Sequence, residues 1–208
     1  MKLLVILSYL FIQIISNLPQ QKSNTQTEPV IIIDCNYTFE EALEGIEIPS
    51  AIINKLTLVD VEYYSFDEKL HRGQIVINKK VKNDIIALFS LIKELRFPVA
   101  KVVPAVKYKW DDESSMNDNN TVAFNYRKVK GSKLLSAHSY GMAIDINPAQ
   151  NPHIKGKITQ PVNAKYDPKV RGTILRDSKL GKEFVKRGWQ WCGRWKSSKD
   201  YQHFEKKN

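Results

Sequence analysis

Two clusters of chemistry-bearing residues stand far apart in the C-terminal third, and a fold that uses both has to bring them together. Ser136-Ala137-His138-Ser139-Tyr140-Gly141-Met142-Ala143-Ile144-Asp145 supplies one histidine and one aspartate, and Asp200-Tyr201-Gln202-His203 supplies another of each. His138 and Asp145 are seven apart, an odd spacing that puts them on opposite faces of a straight strand. They converge only if the chain turns between them, and Gly141 is the residue that permits the turn. The spacing predicts His138 on a loop, a turn at Gly141 and a strand bearing Asp145, with Asn147 on the same face as a candidate support. Asp200 and His203 share a side only in turn or helical backbone, so Asp200 is expected just before the strand that carries His203. Two imidazoles and a carboxylate are a three-ligand set for a catalytic zinc with one open position. The remaining aspartate is then suited to act as a base towards water activated there. Spacing alone leaves the plain alternative open, in which these are structural or surface side chains.

The rest of the chain fits one α+β domain. Its 208 residues suffice for one well-buried core. Residues 81–97 predict a helix with Ile85, Ile86, Leu88, Phe89, Ile92 and Leu95 on one face and Pro98 as the stop. Residues 100–106 predict a strand, with Pro104 hinting at an edge or bulge, and 111–120 a polar loop suited to a site rim. Met142 to Asn147 alternate, which predicts a strand with Asp145 opposite the apolar residues. Residues 177–187 predict a second helix closed by Gly188, and 189–195 and 201–206 read as strands or hairpin arms. Thr38-Phe39-Glu40-Glu41 fits a capping box, so a short helix is expected from Phe39. Helices and short strands without regular alternation argue for a small antiparallel sheet with flanking helices. Trp189, Trp191 and Trp195 are candidates for a cleft wall or, equally, for aromatic core. His71 and His153 show no partner pattern and are assigned no role.

The ends and the charge narrow the setting. Lys2 and the apolar run 3–15 read as an export signal, with Ser16 as the small residue before a cut. Thirteen residues fall short of a membrane span of about 20, so no stable insertion is expected after cleavage, though retention as an anchor stays open. Residues 17–29 read as a flexible tether and 30–208 as the folded domain. The net charge of +10 favours anionic partners. Its lysines and arginines are scattered and no nucleic-acid motif stands out, so no nucleic-acid partner is expected. Cys35 and Cys192 are compatible with a disulfide in an oxidising compartment or with two buried thiols.

Ser136-x-His138-x-x-Gly141-x-Ala143-x-Asp145, with Trp189, Trp195 and Asp200-x-x-His203 downstream, resembles the zinc-dependent peptidoglycan peptidases. These comprise D-alanyl-D-alanine carboxypeptidases, D,D-dipeptidases and L-alanyl-D-glutamate endopeptidases. The likeness extends to His71-Arg72-Gly73-Gln74-Ile75-Val76-Ile77-Asn78, to Trp110-Asp111-Asp112 through Met116, and to Phe124-Asn125-Tyr126-Arg127. The Phe-Asn-x-Arg stretch, Asn147-Pro148 after the aspartate, and an Asp as base are most similar to the L-alanyl-D-glutamate endopeptidase branch. The resemblance implies a D-Ala-D-Ala carboxypeptidase/hedgehog-like fold. It implies Zn²⁺ bound by His138, Asp145 and His203, with Asp200 as general base and Arg127 stabilising the oxyanion or orienting substrate. Ser136 and Trp189 are candidate substrate contacts. The expected substrate is the peptidoglycan stem peptide, cut by an exported, monomeric enzyme in the periplasm, cell envelope or extracellular space. The alternatives are D-alanyl-D-alanine carboxypeptidase action and a non-catalytic wall-binding module. Cys192 departs from the family, where a small residue is usual.

Overall fold

The computed structural model describes residues 30–207. The expected export signal and tether lie outside the described residues. Among the described residues no helix is long and apolar enough to cross a membrane.

A hairpin of two nine-residue strands is the spine: β2 (Leu56–Tyr64) runs antiparallel to β3 (Leu70–Asn78) along its whole length. Both strands are rich in β-branched and aromatic residues, which suit a pleated surface. Val59, Val61 and Tyr63 alternate into the core, while Asp60 between them faces out. The short strand β1 (Ile32–Ile33) adds to β3 in parallel. His71 on β3 ties it down: its Nδ1 lies 2.8 Å from Asp34 just after β1, and the Tyr63 hydroxyl also donates to Asp34. This gives His71 partners that no local pattern announced, because they come from different elements.

After a one-turn helix α1 (Ser50–Ile53) before the hairpin, the main helix is α2 (Lys82–Glu94). It covers one face of the hairpin with Ile85, Leu88, Phe89 and Ile92, all buried. Each such side chain removed from water contributes about 1.5–3 kcal/mol. Ile86 and Leu95 from the predicted stripe are exposed instead, so the apolar face is narrower than the periodicity implied. On the opposite side of the hairpin Leu56 and Val76 pack with Phe124 and Ala42.

Several expectations need correction. The strand expected over 100–106 is only β4 (Lys101–Val102), because Pro104 heads a 3-10 turn at Ala105–Tyr108. β4 pairs in parallel with β5 (Asn120–Thr121). Gly73 makes room for β4, since a Cβ there would stand 2.1 Å from the Val102 carbonyl oxygen. The polar loop at 111–120 contains a helix, α3 (Asp112–Asn117), started by the Asp111 carboxylate accepting from Ser114 N–H. The capping box is present, with Thr38 and Glu41 exchanging both hydrogen bonds, yet it heads a 3-10 turn at Glu41–Leu43. In place of the one small antiparallel sheet expected, the described residues form several small sheets, two of which contain a parallel pairing.

The C-terminal half follows the reading more closely. β6 (Ala143–Asp145) buries Ile144 against the core. β7 (His153–Lys155) and β8 (Ile158–Gln160) form a hairpin. α4 (Lys179–Lys186) is capped by Ser178 Oγ accepting from Gly181 N–H, and ends at Arg187 before Gly188. β9 (Gln190–Trp191), β10 (Lys199–Asp200) and β11 (His203–Glu205) complete the chain. β11 lies between β6 and β9, so the last strand of the chain sits beside the one that carries Asp145.

Candidate metal centre

His138 is set by a tight 3-10 turn, Ala137–Tyr140, rather than by an open loop. Ser136 starts the turn, its Oγ accepting from His138 N–H at 3.3 Å. Gly141 ends it with φ +62°, and its N–H closes onto the His138 carbonyl. A Cβ at Gly141 would stand 2.6 Å from the Asn78 nitrogen, so the turn is also pressed against β3. The chain then enters β6, and the turn at Gly141 points His138 and Asp145 the same way. Ser139 fastens the turn to the neighbouring segment, donating to Arg127 O at 2.6 Å and accepting from Arg127 N–H at 2.9 Å.

β11 brings in the other half. His203 is directly paired with Asp145, and its Nδ1 lies 2.8 Å from Asp145 Oδ1. His138 Nε2 lies 3.0 Å from the same His203 Nδ1 and 3.2 Å from Asp145 Oδ2. All three side chains are buried, and their ligand atoms lie within 4.8 Å of one another.

The partners on the far sides of the rings decide what this triad can hold. His138 Nδ1 faces the Ala123 carbonyl at 2.5 Å, so Nδ1 carries the hydrogen and Nε2 presents a lone pair. His203 Nε2 faces the Glu205 carboxylate at 3.5 Å, which leaves Nδ1 as the inward nitrogen. Two inward nitrogens and a carboxylate crowd one small space, so a positive charge has to sit among them, either a proton or a cation. The electrostatics agree. Burial disfavours a charge on His203, but Asp145 overrides it and pushes the imidazole up to about 10. Burial likewise opposes the Asp145 charge, yet His138 and His203 hold its carboxyl far below the usual carboxylate range. The donor set therefore fits a divalent cation that replaces that proton.

Asp200 ends β10 and stands apart from this cluster, outside the group of converging ligand atoms. Its Oδ1 is buried without a hydrogen-bond partner among the described residues. Burial first, and then the Asp145 charge, raise its carboxyl above the usual range. His153, on β7, is paired opposite Asp200 in register.

Arg127 lies two residues beyond Asn125, whose N–H reaches the His138 carbonyl. Its guanidinium is held by Asp112 Oδ2 at 2.9 Å, and its Nε is buried with no partner among the described residues. Asp112 Oδ1 also accepts from Asn125 Nδ2 at 3.2 Å. Asp112 thus anchors both side chains, a role invisible from the sequence because residues 111–120 carry the composition of a polar loop. Glu205 was missed too, although its place two residues past His203 on a strand puts it on the same face.

Three expectations change. Trp189 is 2% exposed, packs edge-on against Phe184 and donates Nε1–H to Asp84, so it is core and has no surface to offer a substrate. Trp195 is the tryptophan near the cluster, its ring 6.2 Å from that of His203. Asn147 does not support the metal ligands: its side chain donates to Pro98 O and Gly172 O and accepts from Ala100 N–H. Ser136 is buried and orients the His138 turn. Cys35 and Cys192 are both free thiols.

Residues 130–206 match the family model described as D-alanyl-D-alanine carboxypeptidase. The match covers well under half of the chain. It includes His138, Asp145, Asp200 and His203 and stops short of Arg127. No curated protein matches the chain, and no solved structure does.

Proposed function

We propose that this chain is a zinc metallopeptidase that hydrolyses the stem peptides of peptidoglycan, acting as an L-alanyl-D-glutamate endopeptidase. The observation that carries the reading is the division of labour among three buried side chains and one half-buried one. His138, Asp145 and His203 converge on one point, while Asp200 stays apart from them with an unpartnered oxygen.

His138 Nε2, His203 Nδ1 and an Asp145 oxygen would hold the ion. Bound there, zinc would supply Lewis-acid activation of water and of the scissile carbonyl. Asp200 Oδ1 takes the proton from the attacking water and later returns it to the leaving amine. A carboxyl raised by burial suits this, because it is basic enough to accept the proton and acidic enough to release it. The Arg127 guanidinium, fixed by Asp112, donates to the developing oxyanion or to a substrate carboxylate. His138 is kept in the correct tautomer by Ala123, and His203 by Glu205. The enzyme is read as a zinc-loaded, exported monomer acting in the periplasm, the cell envelope or outside the cell.

The description of the matching family model favours a second reading, removal of the terminal D-alanine. One digest separates the two. Defined muropeptides are incubated with the zinc-loaded protein, with and without chelator, and the products weighed by mass spectrometry. Cleavage after L-alanine, lost on chelation, supports the endopeptidase. Release of D-alanine supports the carboxypeptidase, and no product of either kind overturns both.

A further inference from the structure

The strand register that assembles the centre continues beyond it. Phe204 pairs with Trp191 and Glu205 with Gln190. Extended by one residue, that register sets Cys192 opposite His203, which is itself opposite Asp145. Asp145, His203 and Cys192 thus form a row across β6, β11 and the end of β9, and residues in one row share a face. Glu205, two residues along β11 from His203, shares it as well. The side chains follow the backbone: ligand atoms of Cys192, His203 and Glu205 lie within 4.8 Å of one another. The Nδ1 edge of the ring looks towards Asp145 and His138, and the Nε2 edge towards Glu205. One imidazole faces two donor groups.

The peptidase reading gives the Cys192 thiol no task. It is fully buried, and its one polar contact among the described residues is a weak 3.9 Å approach to the Gln190 carbonyl. A sulfur, an imidazole nitrogen and a carboxylate form a set for borderline and soft divalent cations such as Zn²⁺, Co²⁺ and Cd²⁺. Hard cations, which prefer oxygen throughout, do not suit it. Glu205 keeps 24% of its side chain exposed, which gives an ion a path inward.

We propose that Cys192, Glu205 and the Nε2 edge of His203 form a second cation site, back to back with the first and sharing the His203 ring. Binding releases one proton from Sγ and one from Nε2 to solvent, and the Glu205 carboxylate changes from hydrogen-bond acceptor to ligand. The donors close to roughly 3.5 Å apart, the spacing around a tetrahedral zinc, by side-chain adjustment. Two cations on one ring repel, so the second equivalent binds more weakly. Filling it also removes the Nε2–H contact that orients His203, which couples the second site to the first.

Cobalt titration of the full chain, with its thiols kept reduced, tests this. A cobalt–thiolate bond gives a near-ultraviolet charge-transfer band that nitrogen and oxygen ligands lack. The first equivalent is expected to bind without that band, and a second, about tenfold weaker or more, to bring it. Cys192→Ala is expected to abolish the second step and keep the first, while Cys35→Ala keeps both. Should Cys192→Ala fail to fold, Cys192→Ser is read in the same way. A band absent at every cobalt concentration, appearing with the first equivalent, or surviving loss of Cys192 overturns the second site. A first step without a second sinks only this inference; the absence of both steps sinks the metallopeptidase reading as well.

Discussion

His203 and Asp145 sit directly opposite each other on antiparallel β11 and β6, with Nδ1 2.8 Å from Oδ1. A backbone ladder therefore sets two of the three candidate ligands, and only His138 depends on a turn. Such a centre is preformed, and a cation that enters it stabilises the folded chain by mass action. At a free zinc concentration a hundred times Kd, about 2.7 kcal/mol is expected. Thermal unfolding with zinc and with chelator measures it. His203→Ala should abolish the difference, and an unchanged shift in that variant would argue against the site.

Without metal, the triad makes stability depend on pH. The folded pKa of His203 is raised from 6.5 to about 10. A raised pKa contributes stability that is complete below the unfolded value and is lost as pH climbs through the folded one. The chelated protein should therefore lose stability between pH 6.5 and about 10. Added zinc should weaken or reverse that trend, since cation binding improves as protons leave. Melting curves across this range decide the matter, and an identical slope with and without zinc would count against the shared position of proton and cation.

Asp200→Asn should separate chemistry from metal binding. The variant is expected to keep its zinc and to lose about 10²–10⁴-fold in turnover, the range for removing a general base. Metal content by atomic absorption, beside the rate, distinguishes the roles: loss of zinc would make Asp200 a ligand.

Arg127→Ala should lower kcat about 10²–10³-fold if the guanidinium meets the developing charge. Asp112→Asn leaves the arginine in place but unanchored, and a smaller loss, about tenfold, is expected. Equal losses in the two variants would instead mean that Asp112 mainly supports α3.

Gly141→Ala should damage the fold as well as the site. The left-handed backbone alone costs an alanine about 1–2 kcal/mol, and the added methyl would press on the Asn78 nitrogen and on Leu56. A loss of more than about 2 kcal/mol in denaturant unfolding is expected. A neutral result would show that the turn can relax.

Much of this centre is legible in the sequence because its geometry is local. The odd spacing from His138 to Asp145 demands a turn at Gly141, and the turn is there with positive φ. The strand around Ile144 and the helix ending before Gly188 follow from alternation and capping. What stayed hidden depends on contacts distant in the chain. β2 carries no motif and β3 stands out only through the family likeness at 71–78, so the hairpin reads as strand only once both faces are covered. Trp189 shares its spacing with Trp191 and Trp195, but only packing against Phe184 and Asp84 shows that it points inward. Asp112 is one acid in a polar run until its ion pair with Arg127 gives it a purpose.

That ion pair divides the labour within the domain. The groups that would hold metal are fixed by sheet ladders and a turn pressed on β3, whereas Arg127 and Asn125 lean on one carboxylate at the start of the six-residue helix α3. Changes in or around α3 can re-aim those two side chains while the ladder stays intact. On the peptidase reading, a search for variants with altered substrate preference would therefore begin at α3, since a library there re-aims Arg127 and Asn125 without rebuilding the candidate metal centre.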